Sequence, residues 1–154
     1  IEKNSWPVVN IDQPALIGLD YMPSAQDRLY YYQQIASAKT TQEVDEIKDR
    51  LVDQFGRTGG SIDNLFIVAK LRCLLFFTPI EKCTINKKEL GLFFKTVGKG
   101  DVGGLLKTIS SLSKKKGKSY KFKEGRTSRG VVFSGVGKGE LVDFVHDFGL
   151  LFSG

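Results

Sequence analysis

The sequence predicts an α+β domain with elements in the order β-ααα-ββ-α-ββ-α. Three observations predict it. Apolar residues recur three and four apart through 25–76, the period of helices that bury one face. Beyond Pro79 the pattern changes to short runs of β-formers, IEKCTIN and LGLFFKT, then SYKFK and GVVFSG. Each of these strand pairs is followed by a run with helical spacing, which implies a mostly antiparallel sheet with two covering helices.

Residues 7–20, PVVNIDQPALIGLD, open the ordered pattern. Val8, Val9 and Ile11 favour an extended strand. Pro14 cannot donate to a ladder, so the strand belongs at a sheet edge or stops there. Ser24-Ala-Gln-Asp27 starts a helix: the hydroxyl accepts an early N–H, and the acid suits the positive end of the dipole. Leu29, Tyr32, Ile35 and Ala36 predict its apolar stripe, and its end falls near Lys39.

Thr40-Thr-Gln-Glu43 repeats the start signal. In the second helix Val44, Ile47, Leu51 and Phe55 make the buried stripe, and Gly56 suits its C-terminal cap. The short link predicts a helical hairpin. RTGGS is a turn, Ser61 is expected to open a third helix to about Phe76, and Pro79 prevents its extension. The run LFIVAKLRCLLFF is broken by Lys70 and Arg72 and falls short of the roughly 20 residues a membrane span needs.

In the second half, NKKE separates the first strand pair. Val102, Leu105, Leu106, Ile109 and Leu112 give the next helix, which Gly103 and Gly104 weaken by roughly 1 kcal/mol each relative to Ala. Tyr120 and Phe122 alternate with lysines and are expected to face inward. Leu141, Val145, Phe148 and Phe152 predict the last helix.

The chain has 154 residues, 41% apolar and 26% charged, enough for one domain with a true core. Residues 1–78 form a mainly helical part and 79–154 a ββαββα part. The sequence starts at Ile1 without a signal-peptide pattern and reads as a piece of a longer protein. Cys73 and Cys83 sit in apolar segments; a pair of buried thiols in a reducing cytosol is favoured over a disulfide.

The net charge of +6 is unevenly spread. Residues 87–138 hold 14 Lys/Arg against 3 Asp/Glu, whereas residues 1–86 hold 9 against 11. The cations concentrate in KKKGKSYKFKEGRTSR: Lys114, Lys115, Lys116, Lys118, Lys121, Lys123, Arg126 and Arg129. Cations interleaved with aromatics suit single-stranded nucleic acid. The same pattern also describes an amphipathic strand with lysines guarding a sheet edge.

Catalytic and metal motifs are missing from the sequence. SGVGKGE resembles a phosphate loop, but Gly139 follows Lys138 where a hydroxyl is needed, and Val132 stands where the first glycine should be. A glycine-rich turn is the simpler reading. His146 is the one histidine, and two cysteines with it do not make a zinc site. The carboxylates lie on polar helix faces, where Lys48 and Arg50 pair with them at small gain. No catalysis, no cofactor and no metal are expected.

The stretch LIGLDYMPSAQDRLYYYQQIASAKTTQEVDEIKDRLVDQFGRTGGSIDNLF, residues 16–65, resembles the C-terminal domain of bacterial transcription-repair coupling factor, the Mfd family. The matching elements are Tyr21-Met22, Arg28-Leu29, Tyr32, Ile35-Ala36, Leu51-Val52-Asp53, Phe55-Gly56 and Asn64-Leu65. Beyond residue 80 the likeness rests mainly on element order. The resemblance implies a single C-terminal regulatory domain, residues 1–154, of a large cytoplasmic, nucleoid-associated ATP-dependent DNA translocase. That parent removes stalled RNA polymerase and recruits excision repair through UvrA. It further implies that the domain packs on an N-terminal UvrB-like module and hides the surface UvrA must reach, until polymerase and DNA engagement frees it. Glu46, Asp49, Arg50 and Asp53, opposite the apolar stripe of the second helix, are the expected docking residues, Asp53 matching the family position. A basic nucleic-acid-binding module using residues 114–129 is the alternative.

Overall fold

Two hydroxyls fix where the first helices begin. The structure, a computed structural model, describes residues 6–95, 102–124 and 128–152, with the backbone alone for 102–104. α1 (Ala25–Ser37) starts where Ser24 Oγ accepts the Asp27 N–H at 3.2 Å. α2 (Thr41–Phe55) starts where Thr40 Oγ1 accepts the Glu43 N–H at 3.1 Å, while Glu43 accepts the Lys39 N–H at 2.8 Å. Each bond satisfies a donor that the first helical turn leaves free. Gly56, at φ 95°, ends α2 in a conformation that residues with a Cβ avoid.

α3 (Gly60–Leu75) begins one residue before Ser61, where the sequence opened it. Its cap position is Gly59, which offers no side chain. Thr58 Oγ1 instead donates to Asp63 Oδ1 at 2.6 Å, and the Asp63 N–H donates to Gly59 O at 3.0 Å. This holds a carboxylate at the positive end of the helix dipole.

The sheet has the order β1-β2-β3-β5-β4. Its strands are β1 (Val8–Ile11), β2 (Ile80–Asn86), β3 (Glu89–Phe94), β4 (Tyr120–Glu124) and β5 (Arg129–Ser134). β1 runs parallel to β2, and the other pairings are antiparallel. As Pro14 implied, β1 lies at an edge; β4 lies at the other. α4 (Val102–Lys116) and α5 (Leu141–Leu150) complete the fold.

Two hydrophobic clusters share α3. One joins Ile17, Met22, Tyr31, Ile35, Val44, Ile47, Leu51, Ile62 and Phe66 between the N-terminal helices. The other joins Leu71 and Leu75 to one face of the sheet and to Ile109, Leu112, Phe144 and Phe148. Apolar residues all round α3 are what a helix walled on both sides requires. Arg72 ties α3 to the end of α1 and to Trp6, at the edge of the first cluster. Its guanidinium donates from Nη2 to Ala36 O and Ala38 O, each at 3.1 Å, and lies 4.5 Å from the centre of the Trp6 ring. A cation is thereby supplied to the C-terminus of α1, which has no basic residue in its last turn.

Several inward assignments change. Leu29 is 56% exposed and Ala36 also faces out; Tyr31 and Ile35 carry the buried side of α1, with Ala38 buried just past its end. Arg28 turns toward the chain instead, donating to Met22 O at 2.7 Å and Pro23 O at 2.9 Å. Leu106 faces out, because Ile109 and Leu112 set the buried stripe of α4. Phe122 is 43% exposed, since β4 is the edge strand and only Tyr120 reaches the Phe133 ring. The glycine-rich stretch after β5 is a turn: Glu140 accepts the Gly137 N–H at 2.8 Å within a short 3-10 turn leading into α5. Phe152 lies just past the end of α5 and packs on Phe148. Both cysteines are free and buried, and burial pushes the Cys83 thiol up to about 12.

Candidate docking face

α2 divides its charges between two sides. On one side they are used within the fold: Asp45 pairs with Lys70, and Lys48 lies 3.3 Å from Asp63, both partners on α3. The sequence suggested pairing within α2; α3 competes successfully because it packs alongside with opposite charges at matching heights. On the other side stand Glu46, Asp49, Arg50 and Asp53, all exposed. None of these four forms an ion pair among the described residues, and Glu46 only accepts a 3.4 Å bond from Gln42 Nε2. They occupy positions i, i+3, i+4 and i+7, one stripe about 10 Å long opposite the buried Val44, Ile47 and Leu51.

The stripe is held from behind by tyrosines that sequence reasoning missed. Tyr21 Oη donates to Gly56 O at 2.6 Å, and Tyr31 Oη donates to Gln54 Oε1 at 2.8 Å. The Tyr31 and Phe55 rings meet edge to face at 6.0 Å, and Tyr21 also packs on Phe55. Burial raises both tyrosine pKa values; for Tyr31 the nearby Arg50 charge partly opposes this. Helical spacing would have hinted at Tyr31, but nothing local marks Tyr21 as the brace of a helix end some 35 residues away. Beside the stripe, Glu43, Glu46, Ile47 and Arg50 form a shallow groove with Gln34 and Ser37 of α1. A fixed row of opposite charges beside a shallow groove can bind a complementary charged surface; it offers no convergent polar pocket for chemistry.

The basic candidates are dispersed. Lys116 pairs with Asp147 of α5. Lys118 Nζ donates to Gly135 O at 2.7 Å and to Glu140 at 3.0 Å, and Arg129 lies 3.6 Å from Glu124. Lys114 and Lys115 are exposed at the end of α4, and Lys121 and Lys123 on β4. Arg126 lies outside the described residues. His146 is on the surface, 3.5 Å from Asp147. Among the described residues, no group of three or more His, Cys, Asp or Glu could hold a metal ion, and no helix is long and apolar enough to cross a membrane.

Comparison with known proteins adds the family. The model of the TRCF domain matches residues 11–105. The transcription-repair-coupling factor of Escherichia coli (strain K12) is 41% identical over 80 residues, 52% of this chain and 7% of that one. The Haemophilus influenzae protein of the same name is 32% identical over 94 residues, 61% of this chain and 8% of its own. The matched region thus spans less than a tenth of these relatives. A solved structure described as the C-terminal domain of transcription-repair coupling factor superposes with a TM-score of 0.72, covering 96% of this chain and 93% of the other at 12% identity. That match speaks for the fold.

Proposed function

The chain belongs to the TRCF domain family, and from that premise we propose that it is a non-catalytic clamp that docks on another module of the same polypeptide through the outer stripe of α2. The module is the N-terminal UvrB-like one, and the clamp masks its UvrA-binding surface until engagement with RNA polymerase and DNA releases it. One observation carries this reading. The α2 charges facing α3 are paired, whereas Glu46, Asp49, Arg50 and Asp53 stand exposed in a row without ion partners among the described residues.

The energetics suit a releasable contact. Holding a closed form at roughly 99:1 takes about 2.7 kcal/mol of net preference. Exposed ion pairs supply about 0–1 kcal/mol each. A few such pairs with modest apolar contact reach that figure without making the clamp permanent. The mixed signs on the stripe, three acids and one arginine, also fix register, because a slipped partner would meet like charge.

The test is reversal of Glu46 and Asp53 to lysine in the full-length protein, followed by measurement of UvrA binding. Opening the clamp should raise UvrA capture with no polymerase present. Unchanged capture would remove the α2 stripe as the docking site.

A further inference from the structure

The sheet has a second face with a pattern of its own. Cys83, Leu92, Val131 and Phe133 point to the side covered by α3, α4 and α5. Strand alternation sends their neighbours to the opposite side, and none of those neighbours joins either hydrophobic cluster. The pairing register aligns Lys82, Phe93, Gly130 and Lys123 in one row across four strands. Gly91 and Lys121 belong to the next row.

Phe93 lies down on this face. A Cβ at Gly130 would fall 2.4 Å from Phe93 Cδ1, and one at Gly91 would fall 3.0 Å from Phe93 Cε2. The ring therefore rests across two positions that lack side chains, close to the backbone of β3 and β5. It is partly exposed; in the register Lys82 stands beside it on β2, and Lys123 and Lys121 stand on β4, beyond Gly130 and Val132 of β5. These three lysines are exposed and make no ion pair among the described residues, unlike Lys116 and Lys118. The nearby acids are Glu89 and Asp12 at the hairpin end, the Asp12 carboxylate already accepting the Lys87 N–H at 3.2 Å, and Glu81, exposed beside Lys82 where the β2–β3 register shifts.

We propose that this outer face of the sheet binds single-stranded nucleic acid, with a base stacked on Phe93 and phosphates neutralised by Lys82, Lys121 and Lys123. A recumbent aromatic ring edged by unpaired cations suits an unpaired base and its backbone. Duplex nucleic acid keeps its bases stacked inside and cannot use the ring. An acidic peptide would use the lysines alone. The site differs from the basic segment suggested by the sequence, because among the described residues of that segment only Lys121 and Lys123 belong to this face, and it is independent of the α2 stripe.

The experiment is titration of this chain with a labelled oligothymidylate of about fifteen nucleotides at several salt concentrations, with folding of each variant checked by circular dichroism. Three phosphate contacts predict a slope of log K against log salt of about −2, at roughly 0.7 per contact. K82Q/K121Q/K123Q should flatten that slope, and Phe93→Leu should weaken binding about tenfold. Lys114→Gln with Lys115→Gln should leave binding unchanged. The proposal is overturned by no binding at about 50 mM salt. It is equally overturned if polyglutamate or duplex DNA competes on equal terms, or if the α4 lysine variant, and not the sheet variant, abolishes binding. Should Phe93→Leu fail to fold, the sheet-lysine variant alone decides.

Discussion

Arg72 of α3 and Ala38 at the end of α1 are joined by a 3.1 Å bond from guanidinium to carbonyl. The same nitrogen reaches Ala36 O, and the guanidinium stacks over Trp6, which in turn packs on Phe76 at 4.1 Å. One side chain thus satisfies carbonyls that the helix end leaves without intrahelical partners. Arg72→Gln should lower stability by about 2 kcal/mol, the cost of leaving such acceptors without a charged donor. Urea denaturation checks this; a loss under about 0.5 kcal/mol, the range of ordinary surface changes, would contradict the assigned role.

Gly130 is predicted to resist substitution. An alanine Cβ there would meet the Phe93 ring and stand 2.9 Å from the Leu92 carbonyl oxygen, which is backbone and cannot swing aside. Overpacking of this kind costs about 1–3 kcal/mol. Gly60→Ala, in the first turn of α3 where nothing lies within 4 Å of the added Cβ, is the control and should cost much less. Thermal melts of the two variants give the comparison.

Acid should loosen the clasp between α4, its following turn and α5. The Glu140 carboxyl is held below its ordinary value by the Gly137 N–H and by Lys118. Asp147 is likewise held down, mainly by its bond from Lys116. A carboxyl with a depressed folded pKa contributes stability above its unfolded value and loses it as pH falls through the folded one. Stability should therefore decline as pH drops below the ordinary values of 4.5 and 3.8. In E140Q/D147N that decline should be shallower, as read from Tm against pH. An identical pH profile would show that other carboxylates dominate.

Much of the fold was legible in local chemistry. Ser24 and Thr40 cap helices as their hydroxyls and following acids implied. Pro14 marked an edge strand or a strand end, and β1 is an edge strand that stops before it; Val44, Ile47 and Leu51 are buried as their spacing required. What failed was decided by distant partners. Leu29 was expected inside, but Tyr31 meets Phe55 and Gln54 and takes the buried side. Ser61 was expected to open α3, which starts one residue earlier at Gly60, with Thr58 and Asp63 making a start the sequence did not indicate. Phe122 was expected to face inward; β4 is the edge strand that its lysines suggested, and that edge leaves the ring partly exposed. For the α2 stripe, the exposure of Glu46, Asp49, Arg50 and Asp53 follows from period alone. Which neighbouring charges were already committed does not, because Lys70 and Asp63 belong to another helix.

The contrast between committed and uncommitted charges yields a paired prediction. Asp45→Asn and Lys70→Gln remove an ion pair inside the fold and should lower stability by up to about 1 kcal/mol, given its partial exposure. They should leave UvrA capture by the full-length protein as it is. Glu46→Lys and Asp53→Lys should do the reverse, with stability changed by no more than about 0.5 kcal/mol.

UvrA capture by the full-length protein carrying Glu46→Lys and Asp53→Lys, without polymerase or DNA, is the most direct measurement. A masked recruiting surface predicts clear capture by this variant and little by the unaltered protein. Equal capture by the two, with both folded, would contradict the clamp.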